Sequence, residues 1–160
     1  MKTTKQLFIL LILMSTMLAA SAQTDPIGKD KVAIGGYDVV AYFKSSKAMK
    51  GNAEIKALNN GITYYFVSEE NKTTFVQKPE DYLPQYDGYC ALAVGAQKKK
   101  VSINPEEFKI TNGKLYLFFN GPLPLSGKKF NSVEPWNKYE DNLIKKANAN
   151  WPALKEKGKK

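Results

Sequence analysis

The sequence predicts an α+β fold: two antiparallel β-hairpins packed with short helices and closed by a C-terminal amphipathic helix. Three observations carry this reading. Strand-like apolar runs flank Asn59-Asn60-Gly61 and again Asn112-Gly113, and asparagine-glycine readily takes the positive φ angles of a tight hairpin turn. Ser68 stands before Glu69 and Glu70, an N-cap followed by acidic residues that suit the positive end of a helix. Beyond Pro135, residues Trp136, Tyr139, Leu143 and Ala147 recur at helical spacing.

Taken in order, residues 23–31 are polar and read as extended. Gly35-Gly36 gives a turn into 37–43, a short apolar run that periodicity assigns to neither helix nor strand; a turn of helix is expected. The first hairpin pairs 53–58 with 62–67. Ser68 then caps a helix with Phe75 as its inward anchor, stopped near Lys78 by Pro79. Tight turns follow over 79–84. Residues 90–94 are small and apolar, end at Gly95, and suit a buried helical segment. Asn104-Pro105 with Glu106 and Glu107 predicts a capped helical turn, followed by a second hairpin pairing 108–111 with 114–119. Residues 121–129 are expected to form the most mobile loop. In the last helix Trp151 extends the apolar stripe and Pro152 closes it. No internal repeat is apparent.

Composition narrows function more than any motif does. The 160 residues include one cysteine, Cys90, no histidine and no arginine, and lysine supplies every positive side chain of the net +9. Lys2 and Lys5, the apolar stretch 7–13 and Ala20-Ser21-Ala22 form the three parts of a secretory signal, so residues 1–22 are expected to be removed and the product to be periplasmic or secreted. The mature part is read as one domain, 23–154, followed by a basic tail, 155–160. Lysine offers point charges where arginine grips phosphates and base edges with two prongs. Nucleic acid is therefore not an expected partner, while weak, salt-sensitive contact with an anionic membrane or cell-wall polymer fits the charge. A lone cysteine makes no disulfide within its own chain, which leaves stability to packing of nine tyrosines, eight phenylalanines and two tryptophans.

Tyr65-Phe66-x-Ser68 followed by Phe75, Pro79 and Tyr82 resembles the YHS domain, and Leu83-Pro84-Gln85-Tyr86-x-Gly88-Tyr89-Cys90-Ala91 resembles an extension of exported YHS-domain proteins. Gly36-Tyr37-Asp38-Val39-Val40-Ala41-Tyr42-Phe43 and Asn150-Trp151-Pro152 extend the likeness over the whole mature chain. Metal-linked YHS domains carry a cysteine pair suited to copper or zinc; the matching positions here are Val67 and Asn71, so that ligand pair is absent. Cys90 matches a cysteine of the exported subgroup, and Asp87 stands where the subgroup more often has glycine.

The resemblance and the residue chemistry together imply a non-catalytic protein that binds a small ligand or a metal ion, copper or zinc included, near Cys90, Tyr89, Asp38 and Tyr42. Cys90 is the one candidate soft ligand. It is read either as a buried small hydrophobe, as a thiolate activated at a helix start, or as half of an intermolecular disulfide. Asp38 inside an aromatic run is read either as a helix cap or as a pocket carboxylate. A thiol-dependent enzyme or redox sensor using Cys90, and a purely structural interaction module, are the rival functions. A Cys-His dyad is excluded by composition. The carboxylate pairs Glu69/Glu70, Glu80/Asp81, Glu106/Glu107 and Glu140/Asp141 are assigned to helix starts, and Asn71-Lys72-Thr73 is a glycosylation sequon.

Overall fold

The structure, a computed structural model, describes residues 23–157; the expected signal segment and the last three residues of the basic tail lie outside the described residues. The fold is α+β, with three two-stranded antiparallel sheets, short helices and a long C-terminal helix. In chain order the elements are α1 (Val39–Lys44), β1 (Asn52–Asn59), β2 (Ile62–Phe66), α2 (Glu69–Gln77), β3 (Asn104–Thr111), β4 (Lys114–Phe118), β5 (Asn120–Pro122), β6 (Lys129–Asn131) and α3 (Val133–Glu156).

Both expected hairpins form. Their turns take positive φ at both central residues, 51° and 77° at Asn60-Gly61, 51° and 68° at Asn112-Gly113, the backbone that matches strand twist. Ser68 caps α2, its Oγ accepting from the Asn71 N–H at 3.1 Å. Phe75 lies fully inside, its ring 4.8 Å from that of Tyr64 and 5.2 Å from that of Phe66.

An internal duplication underlies the architecture, which corrects the expectation that no repeat is present. Asn52 pairs Phe66 and Asn104 pairs Phe118, and each ladder then slips, resuming at Lys56 with Tyr65 and at Phe108 with Leu117; every residue in the second set stands 52 positions after its counterpart. The relation extends upstream. Ile34, Gly35 and Gly36 form a left-handed turn with φ 49°, 57° and 81°, and 52 positions later Tyr86, Asp87 and Gly88 repeat it with 58°, 48° and 85°. Downstream, Tyr64 and Phe66 pack on Phe75 while Tyr116 and Phe118 pack on Trp136 at 5.5 and 5.3 Å. Two copies of one supersecondary unit thus share the core.

Four further expectations are corrected. The segment at Asn104 is the start of β3, not a helical turn: the Asn104 Oδ1 accepts from the Glu106 N–H at 3.0 Å, as Asn52 does from Glu54 at 2.9 Å, and the cap-like bond serves a bulge instead. Residues 121–129 contribute to a third hairpin, β5 with β6, whose asparagines at 120 and 131 both donate to the Glu107 carboxylate. α3 runs through Pro152 to Glu156, because Leu154 beyond it is buried and the packing holds the last turn where one backbone hydrogen bond is forfeited. Tyr139 leaves the apolar stripe and is 65% exposed; its backbone departs from helical geometry (φ −135°), and the next residue, Glu140, is drawn to β3 by Lys109 and Thr111.

Candidate functional site

Asp38 is fully buried and caps α1, its Oδ1 accepting from the backbone N–H groups of Val40 at 2.8 Å and Ala41 at 3.2 Å. Its Oδ2 accepts from the Val67 N–H at 2.9 Å and the Asn71 Nδ2 at 2.7 Å. Four donors converge on one carboxylate, joining α1, the end of β2 and α2. Buried carboxylates persist when their oxygens are met in this way. The sequon nitrogen of Asn71 is one of these donors and lies within the fold.

The duplication places Cys90 at the position of Asp38. Asp38 N–H donates to the Met49 carbonyl at 2.9 Å and Cys90 N–H to the Val101 carbonyl at 3.1 Å, again 52 positions apart. Where Val67 N–H meets Asp38, Phe119 N–H meets Ser132 Oγ at 2.9 Å, and the Cys90 Sγ lies 3.4 Å from that Oγ. Cys90 and Ser132 together thus occupy the place of the first carboxylate. Ser132 also donates to the Phe119 carbonyl at 2.9 Å. The thiol is the single free cysteine and is buried, 1% exposed, directly before the helical segment that continues as a π turn over Ala93–Gln97. Among the described residues no group of three or more His, Cys, Asp and Glu side chains stands close enough to share a metal ion.

The two tyrosines singled out from the sequence stand apart. Tyr42 is fully buried, stacks edge-on against Phe108 and donates its hydroxyl to the Pro105 carbonyl at 2.7 Å. Burial, then the neighbouring Tyr37, Glu106 and Asp38, push its pKa far above the ordinary phenol range. Tyr89 is half-buried beside Trp151, and the Lys100 Nζ sits 5.4 Å from its ring centre and 5.6 Å from that of Trp151. Burial, followed by the charges of Asp25 and Asp87, raises the Tyr89 pKa.

A cavity of ≈ 550 Å³ lies elsewhere, in the range that holds small organic ligands. Both left-handed turns line it, Ile34 from the first and Tyr86 with Asp87 from the second. The first hairpin contributes Asn59, Asn60, Ile62 and Tyr64, and the C-terminal part of α3 contributes Asn148, Trp151, Pro152 and Lys155. None of Cys90, Tyr89, Asp38 and Tyr42 lines it. A β-branched residue and two further non-glycine residues at positive φ store local strain at its edge, a feature that concentrates at functional sites. Tyr86 is held by its hydroxyl, which donates to the Asn148 Oδ1 at 2.9 Å, and Lys155 pairs with Asp87 at 3.4 Å. The sequence boundary at 154/155 therefore falls within α3, one residue before this ion pair.

Tyr64 is the most informative lining residue. Its side chain is only 6% exposed, and its hydroxyl makes no hydrogen bond to the described protein. Burial, then the charges of Asp87 and Glu80, push its pKa up to about 12, so the hydroxyl stays protonated and lies among carboxylates that line the same cavity. Sequence reasoning missed this residue because an alternating strand pattern assigns it simply to the core; the available signal was its place 52 positions before Tyr116 within matching Asn-Gly hairpins.

The carboxylate pairs divide. Glu69 and Glu70 begin α2 and Glu80 with Asp81 lies in a single 3₁₀ turn, but Glu106/Glu107 belongs to β3 and Glu140/Asp141 to the interior of α3. Glu140 ties α3 to β3, receiving Lys109 and Thr111 at 2.6 Å each and the Trp136 Nε1 at 3.1 Å. Comparison with protein families, with curated proteins and with solved structures gave no match.

Proposed function

We propose that this chain is an exported, non-catalytic, YHS-like binding protein whose ligand is a small molecule held in the cavity between the two left-handed turns. The observation that carries the reading is Tyr64, a buried side chain in the cavity wall whose hydroxyl has no protein partner. The oxygen is open to the cavity rather than sealed in the core, so a ligand donor can reach it and add a hydrogen bond of about 0.5–1.5 kcal/mol. The strained turns and the ring-lined wall support the same reading.

The donor chemistry favours an organic ligand over copper or zinc. The resemblance aligns the metal-binding cysteines with Val67 and Asn71, and both of these give an N–H to Asp38. Cys90 has a serine hydroxyl as its polar neighbour and belongs to no group of three His, Cys, Asp or Glu side chains among the described residues. The absence of histidine and the enclosure of the sole thiol favour binding over catalysis. Export rests on the pattern of residues 1–22, and the lysine-only charge supports weak, salt-sensitive attraction to anionic envelope polymers.

Native mass spectrometry of the chain recovered from its exported compartment tests the reading. A small organic adduct is expected on the wild-type chain and on Cys90→Ala, and its loss is expected in Ile27→Trp, which narrows the cavity at a residue 38% exposed. An adduct that survives Ile27→Trp and disappears in Cys90→Ala would overturn the assignment.

A further inference from the structure

Given the binding function proposed above, on which this step rests, the chemistry of the cavity wall narrows the class of ligand as well as its size. The chain as a whole is strongly basic, yet the wall around Tyr64 carries Glu80 and Asp87 against a single lysine, Lys155. Lys155 is engaged by Asp87 at 3.4 Å, whereas Glu80 forms no ion pair within the described residues. The charge of the wall is thus opposite in sign to the net charge of the chain. An anionic ligand would meet two carboxylates and gain one cation already in use.

Beside the amides of Asn59, Asn60, Gln85 and Asn148, the wall offers apolar and aromatic surface from Ile34, Ile62, Leu83, Tyr86 and Trp151. Such surface accepts a hydrocarbon or ring body, and ring faces attract a cation. The Tyr64 hydroxyl has its oxygen lone pairs open to a donor because no protein N–H or O–H occupies them. We infer that the ligand is a compact organic cation, an ammonium group on an apolar body, its nitrogen held among Tyr64, Glu80 and Asp87 and its body against Ile34, Leu83 and Trp151. The ammonium donates to the Glu80 carboxylate and to the Tyr64 oxygen. Asp87 adds charge attraction through the mouth while retaining Lys155.

Three probes of one shape separate charge from shape: 2-phenylethylammonium, its neutral counterpart 2-phenylethanol, and the anion 3-phenylpropanoate. Binding is read by calorimetry and by amide shifts of Asn59, Asn60 and Gln85 in the purified chain at pH 7 and low salt. The ammonium is expected to bind about threefold to tenfold more tightly than the alcohol, with the anion weakest, as suits charge-assisted contacts at a partly exposed mouth. Glu80→Gln should bring the ammonium down to the level of the alcohol. Tyr64→Phe should weaken the ammonium severalfold while leaving the thermal midpoint unchanged, because no protein hydrogen bond is lost. Shifts of the cavity amides by the alcohol equal to or greater than those by the ammonium, or an unchanged ammonium affinity in Glu80→Gln, would refute the cationic class and leave the cavity standing. No shift of any cavity amide by any probe would remove the cavity reading together with the class.

Discussion

Replacing Asp38 by asparagine tests whether this carboxylate is a structural node. The wild-type side chain accepts four N–H groups between 2.7 and 3.2 Å while fully buried. An asparagine keeps one oxygen and turns the other position into an NH2 group, which faces two donors whichever way the amide is oriented. Two charge-assisted bonds vanish, and two donors are left facing a third. Each such bond contributes about 1.5–3 kcal/mol and local relaxation recovers part, so the net loss is about 3 kcal/mol. For a chain of this size that corresponds to a fall of roughly 10 °C in the thermal midpoint. Urea unfolding followed by circular dichroism measures it, with the exposed Asp81→Asn as a control expected to stay within about 0.5 kcal/mol. A stability for Asp38→Asn within about 1 kcal/mol of wild type would refute the argument and return Asp38 to the pool of candidate ligands.

Three further outcomes are expected from the same geometry. Tyr42→Phe should cost about 1–2 kcal/mol in urea unfolding, since it strands the Pro105 carbonyl, whereas Tyr64→Phe should be neutral or stabilising; the reverse order would contradict the hydrogen bonding described. Burial alone would raise the Glu140 pKa, but hydrogen bonds from Lys109, Thr111 and Trp136 outweigh it and hold the group below the usual carboxylate range. Its contribution is therefore complete above the unfolded value, near 4.5, and is lost as pH falls through the lower folded value, so Glu140→Gln should flatten the stability profile in acid; an unaltered acid slope would sink this claim. Cys90 should resist iodoacetamide until denaturant is added, and Cys90→Ala should cost about 1–2 kcal/mol, because Ser132 keeps both of its bonds to Phe119; rapid labelling of the folded chain would reinstate an active thiol.

Local chemistry made the hairpins and caps readable. Asn60-Gly61 and Asn112-Gly113 announce their turns because few other pairs accept two positive φ angles, and Ser68 announces α2 through a bond made within three residues. The features that escaped the sequence depend on partners far along the chain. The bulge bond at Asn104 is the same short-range contact as a helix cap, and only the pairing with Phe118 decides between them. Pro152 stays within α3 because Leu154 is buried, a tertiary effect that overrides a local breaker. The duplication is written at a 52-residue offset in scattered identities such as Gly36 and Gly88, Asn52 and Asn104, Tyr64 and Tyr116, and it was obscured by the positions between them that differ in chemistry, as with Asp38 and Cys90, or Ile34 and Tyr86.

The candidate site divides in the same way. The capping role of Asp38 was one of two readings its neighbours allowed, and the burial of Cys90 within its small apolar run was one of three. The cavity was illegible, since Ile34, Tyr64, Asp87 and Lys155 converge from four separate segments and form no motif. The repeated turns bring the first and third together at its wall, and α3 supplies the last.

A crystal structure of the chain purified from its native source, without added ligands, is the most direct test. Density for a small organic molecule is predicted against Tyr64 and between the turns at Ile34 and Asp87, with Cys90 still facing Ser132. A metal or ligand bound at the Cys90 sulfur, with nothing beside Tyr64, would contradict the proposed binding function.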